Sequence, residues 1–149
     1  MAEQADSIWT RIASVYDEFL LAAEDNVYRT LVHKVCQDLA GCERVLEAGC
    51  GTGNICLELA RQGCQSYGID RNLAMLARAC HRATQTSGMY VAEGDVQRLY
   101  FPDEYFDGYC SNNVVFDADI VLTLQEAYRV LKPGGKLAIA SSQISPNIE

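Results

Sequence analysis

Gly49, Gly51 and Gly53 alternate with Cys50 and Thr52 directly behind Val45-Leu46-Glu47-Ala48, and Asn54 follows them. Glycines at this spacing let the backbone pass close to a ligand and aim the first amides of a following helix at its anionic end. Tight strand-to-helix turns also use glycine for steric reasons, so the loop needs company. Asp70, seventeen positions after Gly53, closes Tyr67-Gly68-Ile69-Asp70. A carboxylate there can accept both hydroxyl hydrogens of a ribose diol. A third group, Glu93-Gly94-Asp95-Val96, offers an acceptor to an adenine amino group and a following N–H to the ring. Its plainer reading is an acidic surface turn. Nicotinamide and adenosylmethionine sites share this logic, but the dinucleotide loop wants glycine where Asn54 stands, which disfavours a pyrophosphate.

Such residues work only if strands deliver them. Arg44 to Ala48 reads as a short buried strand, and Ile55, Cys56, Leu59 and Ala60 mark the inner face of a helix ending near Gly63. Gln65 to Ile69 is a second strand, after which Asn72 caps a helix with Leu73, Leu76, Cys80 and Ala83 on its apolar face. Met89 to Ala92 is a third strand, and a loop containing Pro102 leads to a fourth, Tyr105 to Ser111. Val121, Leu124, Tyr128 and Leu131 then share a helical face, stopped by Pro133-Gly134-Gly135 before a fifth strand, Lys136 to Ser141. Upstream, Ile8, Ile12, Val15, Tyr16 and Phe19 predict one helix. Val27, Leu31, Val35 and Leu39 predict another, ended by Gly41. Strands alternating with helices predict an α/β fold, an open parallel sheet wound by right-handed crossovers with its site at the carboxyl ends of the strands.

Its 149 residues suit a single domain with one core. Residues 1–41 would form a helical cover, 42–141 the core, and 142–149 a loose tail containing Pro146. Apolar residues make up 49% and charged residues 21%, and no apolar run approaches the ~20 residues of a spanning helix. A soluble protein without a membrane partner is expected. The Met-Ala-Glu-Gln-Ala-Asp start has no basic stretch followed by an apolar one, which predicts a cytoplasmic location. A net charge of −8 argues against a nucleic-acid partner and favours small molecules. Seven cysteines without a Cys-x-x-Cys pair predict reduced thiols, mostly small buried hydrophobes, and no metal site.

Taken in order, Val45-Leu46-Glu47-Ala48-Gly49-Cys50-Gly51-Thr52-Gly53, Gly68-Ile69-Asp70, Glu93-Gly94-Asp95-Val96, Phe106-Asp107-Gly108-Tyr109 and Arg129-Val130-Leu131-Lys132-Pro133-Gly134-Gly135 strongly resemble the class I S-adenosylmethionine-dependent methyltransferases. The resemblance runs from about Ile8 to Ser141. It implies a Rossmann-like doubly wound sheet of strand order 3-2-1-4-5, with S-adenosyl-L-methionine as cofactor and S-adenosyl-L-homocysteine as product. By position it places Glu47 and Gly49 near the methionine end, Gly51 and Gly53 beneath it, Asp70 on the ribose, and Asp95 and Val96 on the adenine. Leu73 would pack on the adenine face and Asn112 beside the methionine moiety, although Leu73 also fits a core position. Ile12-Ala13-Ser14-Val15-Tyr16-Asp17 is similar to the N-terminal helix of small-molecule methyltransferases, including the quinone-biosynthesis type. There it lids the cofactor, with Tyr16 the matching lid residue or, alternatively, a core aromatic.

Methyl transfer from a sulfonium is an in-line displacement, so alignment in a dry pocket can supply most of the acceleration. No residue is assigned as general base. His33 and His81 fall on predicted helices away from strand ends. Asp117 and Asp119 follow the fourth strand near the acceptor side, Asp119 more simply as a helix cap. The resembled family continues past the fifth strand with a further helix and two strands, which are lacking here. The fifth strand is thus expected at an edge, open to association with a second copy or a partner chain unless the sequence is a fragment of a longer protein. A small-molecule methyltransferase is the leading expectation. A non-catalytic adenosylmethionine-binding or regulatory subunit, completed by a partner chain, is the alternative, and a nicotinamide oxidoreductase stands third.

Overall fold

Strand β1 (Arg44–Ala48) is buried at every residue after Arg44, the signature of a central strand covered on both faces. In this computed structural model, which describes residues 8–22, 27–112, 114 and 118–140, β1 pairs in parallel with β2 (Gln65–Asp70) and β4 (Phe106–Asn112). β3 (Met89–Glu93) lies outside β2, and β5 (Leu131–Ala140) outside β4. The order β3-β2-β1-β4-β5 is the expected one. The chain steps outward from β1 through β2 to β3 and then returns to the other side at β4. A crevice therefore opens at the carboxyl ends of β1 and β4.

Alternation along β1 divides the core. Val45 joins Val35, Cys36, Leu39, Ile55, Leu59, Cys64 and Cys110 on one face, while Leu46 and Ala48 join Ile69, Leu99, Phe106, Tyr109, Ala127 and Val130 on the other. The first face is covered by helices α2 (Val27–Asp38) and α3 (Asn54–Arg61), whose inner residues Ile55, Cys56, Leu59 and Ala60 are the expected ones. A third cluster joins α3 to α4 (Leu73–Ala83) through Cys50, Cys56, Ala60, Leu76, Ala79 and Met89. Gly68 makes room there, since a Cβ on it would stand 2.8 Å from the Cys56 Sγ and 2.9 Å from the Cys50 Sγ.

Four expectations are corrected. The predicted first helix is interrupted: residues 8–12 are helical, 13–15 turn, and α1 (Tyr16–Ala22) follows. Asp17 is buried while Val15 and Phe19 are exposed, because the Asp17 carboxylate finds partners in the glycine-rich loop and the apolar spacing does not decide the inner face. In α4 the buried residues are Met75, Leu76 and Ala79, whereas Leu73 is 62% exposed and Cys80 is exposed. The helix is rotated so that Ala79 packs under Gly53. In α5 (Ile120–Val130) the inner residues are Thr123, Ala127 and Val130, and the predicted face is turned out, with Val121 60% and Tyr128 86% exposed. Small Ala127 lets the helix approach Phe106 and Tyr109, and apolar residues all round give the pattern two solutions. Finally, β5 starts at Leu131 rather than Lys136: Leu131 pairs with Phe106, Pro133-Gly134-Gly135 interrupt the register, and pairing resumes between Lys136 and Gly108. Ser141 and the tail lie outside the described residues.

Candidate functional site

The loop between β1 and α3 is anchored by backbone bonds to β2. Gly49 N–H and Cys50 N–H both donate to the Ile69 carbonyl, at 2.8 and 2.9 Å. Gly49 has φ +76°, and a Cβ there would stand 2.1 Å from the Val114 Cγ2, so no side chain fits. Gly53 caps α3 at φ +80° with no side-chain hydrogen bond, against Met89 and Ala79. Asp70 holds the next turn: its Oδ2 accepts from Gly51 N–H at 2.7 Å and its Oδ1 from Asn72 N–H at 2.8 Å. Asn72 caps α4 as expected, its side chain accepting from Met75 N–H at 3.0 Å.

These elements line one pocket at the carboxyl ends of β1, β2 and β4. Of the residues expected to bind a cofactor, Tyr16, Glu47, Gly49, Gly51, Asp70, Asp95, Val96 and Asn112 line it. Gly53 does not; it sits below the loop as the α3 cap. Leu73 does not either, and projects toward solvent. Sequence reasoning missed, among others, Trp9, Tyr28, Thr52, Met75 and Val114, which also line the walls. Trp9, Tyr28, Met75 and Val114 carry no signal by type, since aromatic and aliphatic residues are the common material of cores.

Glu47 is buried at 3% exposure, and its Oε2 accepts from Cys56 N–H at 2.9 Å. Burial pushes its pKa up to about 7, against the lowering by that hydrogen bond. Burial, followed by nearby carboxylates, also raises the Tyr16 and Tyr28 phenols, which therefore stay protonated. Asn112 presents a buried Oδ1 that no described residue satisfies. An unmet buried acceptor in a pocket wall suits a ligand donor. The histidines stand elsewhere: His33 and His81 are exposed and pair with Gln37 and Gln85 on their own helices. Asp119 is the N-cap of α5, accepting from Val121 and Leu122 N–H, while Asp117 lies outside the described residues.

The loop carrying Asp95 is braced from α5. Glu126 Oε2 accepts from Leu99 N–H at 2.6 Å. Arg129 donates to the Leu99 and Phe101 carbonyls, to Glu126 and to Asp103, at 2.7 to 2.9 Å. Hydrogen bonding to Arg129 holds the Glu126 carboxyl below its usual pKa. Arg129 opens the last of the five sequence motifs, and these contacts account for its place there, because they fix the loop that follows β3 to the helix that precedes β5.

Known proteins share this arrangement. The family described as "Methyltransferase domain" matches residues 46–139. The chain is 35% identical over 152 residues to the 2-phytyl-1,4-naphtoquinone methyltransferase of Nostoc punctiforme, covering 93% of this chain and 64% of that protein. It is 35% identical over 141 residues to the demethylmenaquinone methyltransferase of Tropheryma whipplei, covering 89% of this chain and 56% of that protein. A solved SAM-dependent methyltransferase from Thermotoga maritima superposes with a TM-score of 0.74 at 28% identity, covering 89% of this chain and 59% of that one. The chain thus spans less than two thirds of the length of these relatives.

Proposed function

The chain belongs to the methyltransferase-domain family, within the class I S-adenosylmethionine-dependent methyltransferases, and from that membership we propose that it passes a methyl group from S-adenosylmethionine to a small-molecule acceptor, a quinone-type ring. The observation that carries this reading is the acidity of the pocket: Asp70 and Asp95, with the buried carboxyl of Glu47, line it against one guanidinium among the described residues, Arg71. Such a lining favours a cationic ligand rich in donors and opposes a pyrophosphate.

S-adenosylmethionine would supply a methyl group activated on a positively charged sulfur. The chain's own residues bind and orient. The two Asp70 oxygens each accept one backbone N–H. A carboxylate has about four acceptor positions, so about two remain, enough for a ribose diol. Glu47 and the unmet Asn112 Oδ1 face the methionine end, where an ammonium donates. Trp9, Tyr16 and Tyr28 wall the pocket with aromatic surface, which excludes water and offers planar faces to a ring acceptor. With both histidines exposed and outside the pocket lining, these residues contribute alignment rather than proton transfer.

Residues 42–141 serve in this reading as the cofactor-binding core and 1–41 as its helical cover. Seven free thiols suit the cytoplasm. Among the described residues no helix is long and apolar enough to cross a membrane. The β5 edge, with Leu137 50% and Ile139 42% exposed, is available to a strand from a second copy or a partner chain.

Calorimetric titration with S-adenosylmethionine, S-adenosylhomocysteine and NAD tests the cofactor. Both adenosyl compounds should bind and NAD should not. Asp70→Ala should weaken them by about 1 to 3 kcal/mol. Absence of heat with either adenosyl compound would overturn the reading. Labelled methyl transfer to demethylmenaquinone then tests the acceptor class.

A further inference from the structure

The helical residues over the pocket are joined to its floor at two places. On the β2 side, Asn72 Nδ2 donates to Thr10 Oγ1 at 2.9 Å. On the loop side, Asp17 in the first turn of α1 accepts from Thr52 Oγ1 at 2.7 Å and from Asn54 Nδ2 at 3.0 Å through Oδ1, and from Arg82 at 2.8 Å through Oδ2. Arg82 donates in addition to the Thr52 carbonyl and the Asn54 Oδ1, each at 2.8 Å. Arg78 stands 3.7 Å from the same carboxylate. One carboxylate from the cover, one guanidinium from α4 and two side chains from the loop region thus form a closed network.

We propose that Asp17 is a positioning residue that latches the N-terminal helix onto the glycine-rich loop through Thr52 and Arg82, holding Tyr16 and Trp9 over the ligand. Tyr16 is the residue before Asp17, and Trp9 meets it edge to face with centroids 5.9 Å apart. Both line the pocket beside Thr52. Ordering the cover and ordering the loop are therefore one event. A ligand that touches both gains from the latch, and its escape requires the latch to open. The Asp17 side chain is only 12% exposed, so this pair is not a solvated surface bridge that water dissolves.

The inference rests on reading the pocket as the adenosylmethionine site, and its test separates the two. Trp9 is the only tryptophan of the chain, so its emission reports the cover alone. S-adenosylhomocysteine is the probe, with affinity from calorimetry and dissociation from stopped-flow Trp9 fluorescence. Asp17→Asn and Arg82→Gln should each weaken binding about tenfold, mainly through faster dissociation, and should shrink the ligand-induced change in Trp9 emission. The double variant should be no weaker than the single ones, because both remove one coupled unit. Arg82→Lys, which keeps the charge but not the fork, should fall between. If the variants melt lower yet bind, release and fluoresce within about twofold of the wild type, Asp17 is only structural and the latch is overturned. A wild-type chain that binds neither adenosyl compound overturns the pocket reading, and the latch falls with it.

Discussion

The two flanks of β1 are finished to different degrees. On the β2 flank each element that faces the crevice is fixed by a named bond: the loop to Ile69, Asp70 to Gly51 and Asn72, Glu47 to Cys56. On the β4 flank, α5 covers the sheet with its small residues and turns Val121, Leu124 and Tyr128 outward, and β5 ends the sheet with apolar side chains half exposed. The first flank holds most of the pocket lining in place. The second carries surface that a further strand or helix, from any source, could cover. Recognition here is concentrated where backbone geometry and burial leave no slack.

If that contrast is right, even a one-methyl substitution on the first flank should cost more than loss of a whole ring on the second. The largest effect belongs to Gly49→Ala, which adds one methyl group 2.1 Å from Val114 at φ +76°. It should lower stability by about 2 to 4 kcal/mol in chemical denaturation. A cost near zero would mean the loop has room to spare. Next comes Glu47→Gln. Burial raises the native pKa of Glu47 to about 7, so the stability of its neutral form is complete below the unfolded value and lost as the pH rises through 7. Removing the charge should therefore raise unfolding stability by about 1 to 3 kcal/mol at pH 8, with little change at pH 5, while weakening S-adenosylmethionine binding. A variant less stable at pH 8 would show that the carboxylate is satisfied rather than strained. Smallest is Tyr128→Ser on the other flank, at a residue 86% exposed. It should alter stability by no more than about 0.5 kcal/mol, and sedimentation should show any self-association reduced. A loss as large as that of Gly49→Ala would erase the contrast.

Sequence pattern serves the two flanks unequally for the same reason. Around β1 the chain is constrained by several requirements at once: a glycine that must be glycine, a carboxylate at a strand end, a cap at Asn72. Each leaves a residue type at a fixed place, and together they carry the family resemblance that implies the strand order and most of the pocket. The faces of α4 and α5 rest on apolar spacing alone, which points Leu73, Val121 and Tyr128 inward although the helices are rotated away. Asp17 and Arg82 lie 65 positions apart, with types common on any surface. Nothing local marks them as a pair. Arg129 is visible in the sequence as part of a motif, but its work as a brace emerges only when the fold brings the Leu99 and Phe101 carbonyls within its reach.

The distribution of thiols has a practical outcome. Cys36, Cys50, Cys56, Cys64 and Cys110 are buried, and burial raises their pKa values, to about 12 at Cys36 and about 11 at Cys64. Cys42 is half-buried and raised for the same reason, while Cys80 alone stands exposed, on the outer face of α4 two residues from Arg82. A thiol-selective dye offered to the folded chain therefore meets one exposed attachment point, and a dye placed there would ride on the helix to which the cover is fastened. With Trp9 on the cover itself, the wild-type sequence already carries both ends of a molecular ruler.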